Sequence, residues 1–172
     1  MSFGTSVIPR IPQNGCAISN SFVTILWIYK YNGHKPNSIT MYERSVIIPS
    51  SIESINRVEK IIDEISEQRD ISQDLYGKIL IATLEAVNNA ISHGNNFAID
   101  KKVKVEFRII DNQFTISVED EGKGFNPSVI PDPTAPENIE KISGRGIFIM
   151  RQYADELEFN DLGNRSVMTF AL

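Results

Sequence analysis

With 172 residues, 41% hydrophobic and 23% charged, the chain can bury one sizeable core and has the balance of an ordinary globular domain. A net charge of -5 and the lack of any Lys/Arg-rich run exclude a clustered basic face, so nucleic acid is not expected as a direct partner. One cysteine, Cys16, leaves no disulfide framework, and one cysteine with two histidines cannot build a Cys/His zinc site; a cytoplasmic setting is expected.

Residues 1–43 read as an arm apart from the rest. Pro9, Pro12, Gly15, Gly33 and Pro36 interrupt them, and they show little periodicity. Phe22 to Tyr29 (FVTILWIY) is apolar but far shorter than the roughly 20 residues a spanning helix needs, and it makes a poor signal peptide, so no membrane role is expected. A loosely ordered arm, a short strand padding the core or an interface, and a working start at Met41 all remain open readings.

The remainder, 44–172, is organised. "RSVIIP" reads as a strand closed by Pro49, with Ser50 or Ser51 positioned to cap the helix that follows. Ile55, Val58, Ile62 and Ile65 form an amphipathic stripe that stops at Arg69-Asp70. A second helix is expected from about Ser72 to His93, its stripe being Leu80, Leu84, Val87 and Ile91, with Gly94 as a left-handed cap. Val103, Val105, Phe107 and Ile109 alternate with polar residues, Asp111-Asn112 makes a turn, and Phe114, Ile116 and Val118 continue a hairpin. A Pro-rich acidic stretch follows from Asn126. A helix is expected from Gly146 to about Asp155, then two short strands, "LEF" and "SVMTFAL". This mixture predicts an α+β two-layer sandwich with one sheet covered by helices on one face.

Three segments carry candidate chemistry. In "LEAVNNAISHGNN", Glu85, Asn89 and His93 share a helix face nearly opposite the apolar stripe. The plain reading is a solvated face. Yet Ile81, Ala82, Ala86 and Ala90 flank it, where a solvated face would carry lysines and glutamates, so something is expected to cover this side. In "DEGKGF", Asp120 continues the inward parity of Phe114, Ile116 and Val118. An inward carboxylate is costly unless paired, and Gly122 and Gly124 after it permit close approach of a ligand. In "SGRGIFIM", Gly144, Arg145 and Gly146 open a helix, whose free N–H groups suit an anion. The plain alternatives are an acidic turn and an ordinary helix start. No G-x-x-x-x-G-K-[ST] exists, and the glycines do not complete a dinucleotide fingerprint.

In order and spacing, E-x-x-x-N, D-x-G-x-G and G-x-G resemble the N, G1 and G2 boxes of the GHKL ATPases. The resemblance implies a Bergerat-type ATP-binding fold over 44–172, with one mixed, mostly antiparallel sheet. It implies ATP and Mg²⁺ as cofactors. It assigns Asn89 as the Mg²⁺ ligand, Glu85 as the catalytic base, Asp120 as the adenine anchor, and Gly122, Gly124, Gly144, Arg145 and Gly146 as pocket and phosphate residues. Asn126 to Ser143 would be a lid. Many members have a Gly-Thr pair near the last strand; here "GNRSVMTF" offers Ser166 or Thr169 instead.

Within that superfamily, topoisomerases and mismatch-repair ATPases need a further domain, and His34 and His93 lie in the wrong contexts for a phosphoacceptor. "RSVIIPSSIESINRVEKII" and "GRGIFIMRQYADELEF" are similar to the short anti-sigma-factor serine/threonine kinases. That branch implies binding of a sigma factor and phosphorylation of a small antagonist protein, often as a homodimer. The first helix is a usual partner surface there, which makes Arg57 a candidate docking residue; a solvated arginine is the plainer reading. The alternative function is a non-catalytic nucleotide-binding module that sequesters a partner. His93 is assigned no chemistry beyond ending its helix.

Overall fold

The structure, a computed structural model, describes residues 41–127 and 145–172. The expected N-terminal arm as far as residue 40, Cys16, His34, the lid from residue 128 onward and Gly144 lie outside the described residues; Met41, Tyr42 and Glu43, expected in the arm, instead extend the first strand, because each pairs with a residue of the next one. Among the described residues five strands form one sheet in the order β1-β2-β3-β5-β4, with its four pairings antiparallel. The strands are β1 (Met41–Pro49), β2 (Lys102–Ile110), β3 (Gln113–Asp120), β4 (Glu156–Phe159) and β5 (Arg165–Ala171). Alternation sets the two faces. Val103, Val105, Phe107, Ile109, Phe114, Ile116, Val118, Met168 and Phe170 are buried on one face. The opposite face carries charge, with Arg108 paired to Glu43 and Lys104 to Glu106, both at 2.9 Å.

Three helices supply the other half of the core: α1 (Ile55–Arg69), α2 (Gln73–Asn89) and α3 (Arg145–Tyr153). α1 buries Val58, Ile61, Ile62 and Ile65, each such side chain contributing about 1.5–3 kcal/mol. The expected serine cap is not formed. A 3-10 turn, Ile52–Ser54, precedes α1, and neither its first position, Ser51, nor Ser54 makes a side-chain cap bond. Ser50 is buried instead, and its hydroxyl donates to the Lys101 carbonyl at 3.0 Å. Ser50 is therefore committed to the sheet side before the helix begins. The expected break at Arg69-Asp70 is present: Asp70 is left-handed (φ 54°), and Ile71 N–H reaches back to the Ser66 carbonyl at 3.0 Å. Ser72 caps α2, accepting from Leu75 N–H at 3.4 Å.

Of the expected stripe, Val87 and Ile91 are fully buried, but toward the start of α2 the buried face is rotated. Ile79, Ala82, Thr83, Ala86 and Val87 are buried, whereas Leu80 and Leu84 are only half-buried. α2 packs against both α1 and α3, and small residues let neighbouring backbones approach while the leucines spread over the flanks. The alanines beside the polar stripe are thus covered, as expected, whereas Ile81, which flanks it too, is 43% exposed.

Asp70→Gly is expected to raise stability by about 0.5–1 kcal/mol, because glycine adopts the left-handed cap without Cβ strain. Urea denaturation checks it through an increased midpoint at unchanged slope.

Candidate functional site

α2 does not end as an ordinary α-helix. From Ala90 to Gly94 it widens into a π-turn, with Asn95 N–H bonded to the Ala90 carbonyl at 2.8 Å. The expected left-handed cap at Gly94 is absent; the left-handed residues come later, Asn96 (φ 52°) and Phe97 (φ 56°). Gly94 is small for a different reason. A Cβ there would overlap the Asp120 carboxylate, and a Cβ on Gly122 would overlap the Gly94 carbonyl. The two glycines let the end of α2 press against the end of β3.

Asp120 sits at that junction with its side chain on the inward face, opposite Val103. Its Oδ1 accepts the Gly122 N–H at 2.8 Å. Its own N–H donates to the Asn164 carbonyl at 2.9 Å, and its carbonyl accepts from Asn164 Nδ2 at 2.8 Å. Burial pushes the carboxyl above the usual carboxylate range, opposed by the Gly122 N–H and by the charge on Lys101.

A cavity of about 430 Å³ opens beside it, within the size range of small-molecule sites. Ala86, Asn89, Ala90 and His93 of α2 line one side; Gly146, Ile147 and Met150 of α3 line another. Val118, Ser166 and Phe159, neighbours in sheet register, line the sheet side. Phe125 stands edge-on to Phe159, ring centroids 5.3 Å apart. Mostly apolar walls with one inward carboxylate suit a flat ring bearing an amino group.

Gly146 at the start of α3 closes on the polar face of α2. A Cβ there would lie 2.8 Å from Glu85 Oε2 and 2.9 Å from Asn89 Nδ2. Asn89 Nδ2 also points to the Met150 sulfur at 3.9 Å. Asn89 thus offers one hard oxygen for a cation. Among the described residues no group of three or more His, Cys, Asp or Glu could hold a metal. Mg²⁺ fits this donor set when phosphate oxygens complete its shell.

Asn89, Asp120, Gly124, Gly146 and Ser166 come together around this one cavity. Glu85 stands one turn before Asn89, against Gly146, and Gly122 backs onto Gly94. Arg145 is the exposed first residue of α3. Thr169 has the opposite strand parity to buried Ser166, Met168 and Phe170, so it does not face the cavity. His93, Lys101, Lys123, Phe125, Phe159 and Asn164 also line the cavity. Of these only His93 carried a signal, its place on the Glu85–Asn89 face.

Comparison with known proteins identifies the domain family. The model of the histidine kinase-like ATPase domain matches residues 48–170. An anti-sigma F factor from Clostridium botulinum is 34% identical over 106 residues, covering 60% of this chain. The chain spans just under two thirds of that relative, 66% of its length. A serine-protein kinase RsbW from Listeria innocua is 24% identical over 138 residues, 76% of this chain and 88% of the relative. The solved RsbU and RsbW domains of Rv1364c from Mycobacterium tuberculosis superpose with a TM-score of 0.50 at 15% identity, over 75% of this chain and 31% of that one; this likeness concerns the fold alone.

Two outcomes follow from the junction. Asp120→Asn is expected to raise the thermal midpoint by a few degrees near neutral pH, because the amide still accepts the Gly122 N–H but carries no partly desolvated charge. The folded-state pKa of Asp120 is raised, so the carboxyl favours folding in acid and that contribution is lost as pH rises through the folded pKa. The gap between variant and wild type therefore closes on acidification, which calorimetric scans between neutral and acid pH would show. Gly94→Ala is expected to turn the Asp120 carboxylate out of place and to weaken nucleotide binding by about ten-fold or more, about 1.4 kcal/mol, in isothermal calorimetry.

Proposed function

Because the chain belongs to the histidine kinase-like ATPase domain family, we propose that residues 41–172 form an ATP-binding protein serine/threonine kinase domain that includes the whole of β1, with the residues before it as a separate arm. One observation carries the reading: Gly146 packs against both Glu85 and Asn89 at the cavity that Asp120 faces. Adenine binds with its exocyclic amino group toward Asp120, between apolar walls, with Ser166 and Gly124 beside it. Asn89 Oδ1 would hold Mg²⁺; Gly122, beside Asp120, shapes the adenine end of the pocket, while Arg145 and Gly146, with Gly144 as the resemblance implies, serve the phosphate side. When bound, Mg²⁺ would supply positive charge that offsets the charge on the transferring phosphoryl group.

Glu85 takes the proton of an incoming serine or threonine hydroxyl. That oxygen forms a bond to the γ-phosphorus, the bond to the β,γ-bridging oxygen breaks, and ADP leaves. Relatives named as an anti-sigma factor and a serine-protein kinase support two protein partners: a sigma factor to be sequestered and a small antagonist to be phosphorylated. Arg57, exposed on α1, is the candidate docking residue. The reading puts the protein in the cytoplasm without direct nucleic-acid contact, in a branch where homodimers are common. Among the described residues no helix is long and apolar enough to cross a membrane.

The test is transfer from γ-labelled ATP, with Mg²⁺, to an antagonist protein that binds the chain. Glu85→Gln is expected to lower the transfer rate by about 10²–10⁴-fold while ATP affinity stays near wild type. If the wild type binds ATP and its partner yet transfers nothing, the kinase reading falls and a partner-sequestering nucleotide module takes its place.

A further inference from the structure

We propose that Asn95 is a positioning residue for the nucleotide site, its side-chain amide locking the loop that carries Asp120; this rests on the nucleotide reading above. Asn95 follows the π-turn of α2 and is 1% exposed. A buried amide must satisfy one oxygen and two N–H groups, and here every bond is made. Oδ1 accepts from Glu121 N–H at 2.9 Å. Nδ2 donates to the Lys102 carbonyl and to the Ser50 hydroxyl, both at 2.8 Å. Glu121 Oε2 in turn accepts from Lys102 N–H at 2.8 Å. Asn95, Lys102 and Glu121 thereby close a ring of three hydrogen bonds.

The ring ties the end of α2 to the start of β2 and to the residue directly after Asp120. Glu121 N–H belongs to the peptide that leaves Asp120, so holding it sets the direction of the Asp120–Gly122 turn. Gly122 N–H can then meet Asp120 Oδ1, and Gly122 stays against the Gly94 carbonyl. Without the ring the carboxylate is no longer held in advance of the base, and preorganisation of this kind governs discrimination between bases. A merely stabilising asparagine would lack this consequence. Ser50 separates the two roles, because its bond to Asn95 is not one of the three that form the ring.

The experiment uses the full chain, with calorimetric affinities for ATP and GTP in Mg²⁺ and thermal midpoints for wild type, Asn95→Ala and Ser50→Ala. Asn95→Ala is expected to weaken ATP binding by about ten-fold or more and to narrow the ATP-to-GTP affinity ratio by a similar factor. Ser50→Ala is expected to lower the midpoint and leave the ratio unchanged. An unchanged ratio in a folded Asn95→Ala overturns the proposal, as does equal narrowing in Ser50→Ala. Hydrogen exchange on the wild type covers the case in which Asn95→Ala does not fold. Glu121 N–H must then be protected like the amides of β3, and exchange at an open-loop rate overturns the proposal. A wild type that protects Glu121 but binds no ATP instead overturns the nucleotide reading.

Discussion

Asp120 turns a carboxylate inward at the end of a strand whose other inward residues, Phe114, Ile116 and Val118, are all buried. That placement raises its pKa through burial, and much of the surrounding architecture makes it tolerable. Gly94 and Gly122 surrender their side chains so that two backbones can flank the carboxylate. The Gly122 N–H supplies a donor. Asn164 holds the Asp120 backbone from the β5 side through both its carbonyl and its amide. A carboxylate partly desolvated in this way suits a recognition site, because a donor on a binding partner then offsets a cost already present in the fold.

The end of α2 follows from the same demand. An ordinary left-handed cap at Gly94 would send the chain away from β3. Widening the last turn to a π-turn keeps Gly94 against Asp120 and leaves His93 at the cavity. The reversal is deferred to Asn96 and Phe97, both left-handed, and a bulky residue such as Phe97 occupies that region only when the surroundings impose it. Phe97 is 54% exposed, so packing of its own side chain does not account for the conformation. The hydrogen bonds of Asn95 on one side and of Lys101 and Lys102 with Ser50, Asn95 and Glu121 on the other bracket the segment instead.

Small residues recur wherever elements must approach closely around the cavity. Ala82, Ala86 and Ala90 are buried beside Asn89 on α2, and Gly146 meets the Glu85 and Asn89 side chains from α3. Gly124 and Gly163, both left-handed, lie backbone to backbone against Leu162 and Phe125. A larger side chain at these positions would separate the elements and widen the cavity, since packed interiors deform in discrete steps and do not stretch continuously.

Read alone, the residues determined the strands of the hairpin, the inward parity of Asp120, the break at Asp70, the shared face of Glu85, Asn89 and His93, and the covered side signalled by the alanines. Each of these depends on a period of two or about 3.6 residues, which neighbours in sequence carry by themselves. The tertiary structure alone decided that Ser50 serves the sheet and not a helix cap, that Gly94 makes room for Asp120, that Ser166 and not Thr169 faces the cavity, and that Asn95 and Asn164 hold the Asp120 loop from two sides. Ser50 and Asn95 are 45 residues apart, and Asn164 and Asp120 are 44 apart. Contacts at such separations exist only after strand register has brought the segments together, and no local period encodes them.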